Sequence, residues 1–174
     1  RDPRDVAASI RRAGWKPSIG DAAAFWKERV SAAQSGGHSI GRERYHEVRY
    51  ESLVQNPAET LQRLAPRIDI QFESEMTSTH QSGTDAMPEA HQGLEHFSLL
   101  ERPVDPSRAH AWKRELSRSE IADVERVAAP LMKDLGYAVT GKTVPLWVQG
   151  ARWAKEAGGA LVRRTRRRIR SVVP

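Results

Sequence analysis

Only one stretch of this chain alternates in the manner of a strand, and a lone strand cannot satisfy its own backbone. Tyr45 to Tyr50 alternates in part and ends in Val-Arg-Tyr, which predicts a short strand. Its N–H and C=O groups need a neighbour to pair with. The other patterned segments have a helical period. A self-sufficient α/β domain needs more strands than this, so the chain is expected to be part of a larger one. It opens at Arg1 rather than at Met, and we expect a fragment or a processed chain.

The helices are marked at their ends. Asp2-Pro3 reads as an N-cap followed by proline at the first helical position, Val6 and Ile10 follow at helical spacing, and Gly14 closes the helix. A second helix is predicted over 21–33, where Ala22, Phe25, Trp26, Arg29 and Val30 recur at helical spacing, with Ser35-Gly36-Gly37 as its break. Asn56-Pro57 opens a third, through about Leu64. Ser117 and Glu120 form a capping box ahead of Ile121, Val124, Val127, Ala128 and Leu131, and Gly136 ends that helix. Between them, 77–106 is polar and rich in Gly, Pro, Ser and His, which predicts a long loop.

Arg1-Asp2-Pro3-Arg4-Asp5-Val6-Ala7-Ala8-Ser9 sets two guanidinium groups and a hydroxyl around a helix start. Free N–H groups and the positive end of the helix dipole favour a phosphate there, and arginine grips phosphate with two donors at once. An arginine at a helix start can equally pair with an aspartate for structural reasons, and both readings stay open at this level.

The stretch resembles the 3'-phosphate-binding motif of sulfotransferases that use 3'-phosphoadenosine 5'-phosphosulfate (PAPS), an Arg followed eight residues later by Ser. Arg1 and Ser9 occupy those positions, and the resemblance implies that both contact the 3'-phosphate. Val48-Arg49-Tyr50-Glu51-Ser52-Leu53-Val54 with Asn56-Pro57-Ala58-Glu59-Thr60-Leu61 is similar to the family's strand–turn–helix, with Ser52 where Asp is usual. The resemblance makes Tyr50 a candidate neighbour of the adenine, although a strand tyrosine is often simply core. Trp112-Lys113-Arg114-Glu115-Leu116, then Pro130-Leu131-Met132-Lys133-Asp134-Leu135-Gly136-Tyr137, look like the family's C-terminal end. His110 and Ala111 stand where the family has Gly and Arg, so Arg108 is the nearest substitute for the missing cation.

The resemblance covers 1–137 and implies an α/β, P-loop-like three-layer sulfotransferase fold, with its N-terminal half missing and its helix-rich C-terminal half present. It implies PAPS as sulfuryl donor, a hydroxyl or amine acceptor on a small molecule or glycan, and no metal. The 5'-phosphosulfate loop and the base are expected upstream of Arg1. The six histidines, His38, His46, His80, His91, His96 and His110, have no assignable partner, so no catalytic residue is named and the chain alone is expected not to turn over. His91 and Glu95 lie one helical turn apart but lack the further ligands of a metal site.

Two rival readings attach to the C-terminal region. Gly136-Tyr137-Ala138-Val139-Thr140-Gly141-Lys142-Thr143 fits the Walker A pattern letter for letter, which would make a nucleoside-triphosphate loop. That loop needs a strand before it, and a helical run precedes Gly136 instead. The second rival is a non-enzymatic binding module. From Gly141 onward nine Lys or Arg face one acid, Glu156, so the tail carries +8 and the remainder −2 of the chain's +6. Pro145 opens a basic amphipathic helix in which Arg163, Arg164, Arg166, Arg167, Arg168 and Arg170 crowd the end. We take 138–174 as a basic tail apart from 1–137. Its Trp and Arg suit an anionic membrane surface. A solvated tail is the plain alternative, and nucleic acid is disfavoured because the body carries no recognition motif. Zero cysteines are compatible with a reducing cytoplasm, and we expect a cytoplasmic protein, membrane-associated through 145–174. Deleting 145–174 should abolish co-sedimentation with vesicles rich in anionic lipid; intact chain that stays in the supernatant would end the membrane reading.

Overall fold

A computed structural model describes residues 1–78 and 102–141. The chain divides into two units, 1–140 and 141–174, and the described residues fall almost wholly in the first. That unit contains helices α1 (Pro3–Arg12), α2 (Ile19–Ile40), α3 (Tyr50–Gln55), α4 (Pro57–Leu64), α5 (Trp112–Glu115) and α6 (Arg118–Asp134), with short 3-10 turns at Ala65–Ile68, Ser74–Thr77 and Pro106–Arg108. Among the described residues no strand forms, so the three-layer α/β arrangement is not seen in them. The expected strand at 45–50 is corrected. Arg49 is extended, at φ −75° and ψ 126°, but Tyr50 is already the first residue of α3. An extended segment becomes a strand only when a neighbour takes up its backbone groups, and none does so here.

α1, α2 and α6 pack on one another. Ala7, Ala8 and Ile10 of α1 meet Ile19, Ala22 and Ala23 of α2 and Ile121 and Val124 of α6, with Trp112 and Leu116 closing the cluster. The alanines at the contact let the helix axes approach closely. Farther along, Trp26 joins Ala128 and Met132, with Val30, Leu135, Tyr137 and Val139 around them.

α2 runs straight through Gly36-Gly37, where the sequence predicts a break. Glycine weakens a helix interior by about 1 kcal/mol relative to alanine without forbidding it. At Gly37 the ring of Tyr45 lies 2.3 Å from where a Cβ would stand, so the missing side chain admits the returning chain. Gly41, at φ 92°, is the true end. α6 begins with the expected capping box of Ser117 and Glu120. It ends in a Schellman turn: the Gly136 N–H donates to the Lys133 carbonyl at 2.9 Å and the Tyr137 N–H to the Met132 carbonyl at 2.7 Å, with Gly136 at φ 71°. Gly136 therefore stops a helix, and the strand that a Walker loop requires is not there. Lys142 and Thr143, like the basic tail and most of the expected loop, lie outside the described residues.

The polar centre of the fold is Arg4. Its Nε and Nη2 donate to the two oxygens of Asp2 at 2.9 and 2.7 Å, and its Nη1 donates to Glu125 Oε1 at 2.9 Å. Its guanidinium lies 3.9 Å over the Trp112 ring. All three ionised side chains are buried. Burial works against the charge on Arg4, but the hydrogen bonds and attraction of Asp2 and Glu125 outweigh it and hold the guanidinium pKa above its ordinary value. Glu51 is buried too; it accepts the Asp2 N–H at 2.7 Å and the Tyr137 hydroxyl at 3.1 Å. Thr140 closes the network, donating from its N–H and its Oγ1 to the carboxylate of Glu125. Replacing Arg4 by Met strands two buried carboxylates and should lower unfolding free energy by about 3–5 kcal/mol in urea denaturation. A loss under about 1 kcal/mol would show that the network contributes little.

Candidate functional site

α1 presents two faces to different tasks. Asp2 accepts the Arg4 N–H at 2.9 Å as the N-cap while its carboxylate also holds the Arg4 side chain. The start of α1 is thus occupied by an internal carboxylate and buried. This corrects the expectation that both guanidiniums gather there for an anion: Arg4 is turned inward, because Asp2 and Glu125 outcompete solvent for it. On the other face, Asp5, Ser9 and Arg12 recur at helical spacing and line a cleft of about 190 Å³. Arg1, Asp105, Ser107, Arg108, Ala111, Arg114 and Glu115 complete the lining.

The structure therefore brings Arg1, Ser9 and Arg108 to one cleft although Arg108 is far from the other two in sequence. Arg1 is held in several ways. Its carbonyl accepts the Trp26 Nε1–H at 3.1 Å, its Nη2 donates to the Arg108 carbonyl at 3.4 Å, and its guanidinium lies 4.2 Å over the Tyr50 ring. Its Nε is buried with no partner among the described residues. Tyr50 does not line the cleft; it is the platform beneath Arg1. Ser9 is exposed on α1 and Arg108 is half-buried.

The segment 105–112 is fastened to α1 by Asp5. One carboxylate oxygen accepts the His110 N–H at 2.9 Å and the other accepts the Trp112 N–H at 2.8 Å. Burial raises the Asp5 pKa, and the two backbone donors counter only part of that. His110 adopts φ 65°, the left-handed region that glycine enters freely and other residues enter at a cost. The backbone there keeps the conformation suited to the Gly that the resemblance leads one to expect, while the residue has changed. Asp105 caps the 3-10 turn by accepting the Ser107 N–H at 2.9 Å. Interaction with Ser107, then the nearby Arg108 and Arg114, lowers its pKa.

Arg12 and Arg114 escaped the reading of the sequence. Arg12 was legible, since Ser9 and Arg12 are three apart and share a helix face. Arg114 was not, because α5 is only four residues long, Trp112–Glu115, too short to show a period. The charges are partly matched: Arg12 pairs with Glu115, and Arg108 lies 4.0 Å from Asp105. Four guanidiniums against three carboxylates leave the cleft with a net positive charge. Among the described residues no three His, Cys, Asp or Glu side chains converge as metal ligands, and no helix is long and apolar enough to cross a membrane.

Residues 1–74 match the family model described as "Sulfotransferase family". This independently supports the resemblance carried by the Arg1–Ser9 and Tyr50–Leu61 motifs, and it points to a transferase of sulfuryl groups. No curated protein and no solved structure matches the chain significantly. His110→Gly should raise unfolding free energy by roughly 1 kcal/mol by releasing the left-handed strain, and His110→Ala should not; equal effects of the two would assign the gain to lost imidazole contacts instead.

Proposed function

We propose that this chain supplies the 3'-phosphate and nucleotide site of a PAPS-dependent sulfotransferase of α/β, P-loop-like three-layer fold. The transfer is from PAPS to a hydroxyl or amine acceptor, with release of adenosine 3',5'-bisphosphate. The observation that carries the reading is the convergence of Arg1, Ser9 and Arg108 on one positively charged cleft. The unpartnered Nε of Arg1 and the hydroxyl of Ser9 are donors of the kind a phosphate monoester accepts from. Tyr50 beneath Arg1 limits the rotamers of that guanidinium, which lowers the cost of ordering it around an anion.

PAPS supplies the activated sulfuryl group, and this chain's residues bind and orient it. A grip on the 3'-phosphate acts far from the reacting sulfur. Binding energy realised there fixes the donor for in-line attack, converting remote contacts into positioning of the reacting centre. No residue of this chain is assigned to proton transfer. The helix N-terminus is closed by Asp2, so recognition rests on side chains of α1 and of the 105–114 segment.

Thermal melting of the chain with adenosine 3',5'-bisphosphate and with 5'-AMP separates this reading from a general affinity for nucleotides. At a hundredfold excess over Kd a ligand should stabilise by about 2.7 kcal/mol, and the bisphosphate should reach that at far lower concentration than 5'-AMP. Arg1→Ala or Ser9→Ala should narrow the gap, with Arg1→Ala costing about tenfold to a hundredfold in affinity. Equal shifts by the two nucleotides in a folded protein would exclude a 3'-phosphate site.

A further inference from the structure

Among the described residues, two cations of the cleft, Arg1 and Arg114, meet no carboxylate within 4 Å. Arg12 is paired with Glu115, and Arg108 stands beside Asp105. Arg1 is stacked on Tyr50 and bonded to the Arg108 carbonyl. Arg114 differs. Its guanidinium donates to the Ser107 carbonyl at 3.3 Å, it is exposed, and it meets no carboxylate within 4 Å among the described residues. Its charge, like that of Arg108, helps lower the Asp105 pKa after the Ser107 hydrogen bonds. The Ser107 carbonyl holds Arg114 against the 105–108 turn, on the same lining as Arg108 and Ala111.

The acids of the cleft are otherwise engaged. Asp5 is bound by the His110 and Trp112 N–H groups, Asp105 by the Ser107 N–H, and Glu115 by Arg12. A phosphate dianion entering the cleft therefore finds Arg108 and Arg12 already partly compensated, and Arg114, with Arg1, among the guanidiniums that no carboxylate within 4 Å engages among the described residues. Ala111 lines the cleft one helical turn before Arg114 and offers only a methyl group. An arginine three positions on, at the close of the short helix α5, can reach over that methyl group to an anion resting there.

We infer that Arg114 is the second cation of the anion site, acting with Arg1 and Ser9 and taking the place left uncharged at Ala111. The assignment rests on the proposed nucleotide function and makes it specific: selectivity for a 3'-phosphate monoester is built from α1 on one side and α5 on the other. It also ranks Arg108 as the lesser contributor, since Asp105 already shares its charge.

The test compares affinities for adenosine 3',5'-bisphosphate and 5'-AMP in the full chain and five variants, Arg1→Ala among them. Arg114→Ala should reduce the preference for the bisphosphate at least tenfold and leave the melting temperature without ligand unchanged, because Arg114 is exposed. Arg114→Lys should retain part of it, the point charge surviving without the planar fork. Ala111→Arg combined with Arg114→Ala should restore it by returning a guanidinium to the same lining. Arg63→Ala, which removes one positive charge elsewhere on the surface, should change nothing. A full preference retained by Arg114→Ala, while Arg1→Ala loses it, would overturn the assignment and leave the nucleotide site standing. An equal loss in Arg63→Ala and Arg114→Ala would overturn it too, since the effect would then be one of overall charge. No preference in the unaltered chain would remove the nucleotide reading and this assignment together.

Discussion

Three carboxylate oxygens converge on one buried guanidinium, two from Asp2 and one from Glu125 onto Arg4. Each of these groups would be costly to bury alone. Together they tie the first turn of α1 to the middle of α6, and the face of the guanidinium covers Trp112 on α5. Acids outnumber cations in this interior, and neutral donors take up the difference. Glu51 is served by the Asp2 N–H and the Tyr137 hydroxyl, and burial together with Glu51 raises the Tyr137 pKa, which keeps that hydroxyl a donor. The packing of small residues between α1 and α2 specifies how near the helices come; the ion network specifies which residues of α1 face inward.

That division decides where a ligand can bind. A helix start is usually the electropositive end that anions seek. Here Asp2 satisfies it from within, and the dipole is spent on an internal carboxylate. The cleft face of α1 carries the exposed Ser9 and Arg12 beside the buried Asp5, and Asp5 bends the 105–112 segment back onto that face through two backbone N–H groups. The cleft exists because Asp5 is committed to backbone. Were it free, its charge would oppose any anion approaching the surrounding arginines.

The legible parts of the fold are the ones governed by local chemistry. Asp2-Pro3, the Ser117–Glu120 box and the Gly136 stop depend on a few consecutive residues, and the helices begin or end there. α2 was cut short because Gly36-Gly37 reads as a break, and only the distant Tyr45 ring explains the glycine at 37. Tyr50 was placed on a strand by alternation, whereas a strand also needs a partner. The resemblance in residue order singles out Arg1, Ser9 and Arg108, which line one cleft. The inward turn of Arg4 was not, since it depends on Glu125, more than a hundred residues away. Two arginines so close in sequence, Arg1 and Arg4, look alike until α6 is in place.

Glu125 has a second consequence, for where the folded unit can be cut. Its carboxylate accepts from Arg4 on one side and from the N–H and Oγ1 of Thr140 on the other. The three residues after Tyr137 look dispensable, being past α6 and largely exposed. Trimming the gene after codon 137 would nevertheless withdraw every Thr140 donor from a buried acid, whereas trimming after codon 140 would keep them. The first unit ends at Thr140, at a hydrogen bond to its interior, six residues beyond Asp134, the last residue of α6.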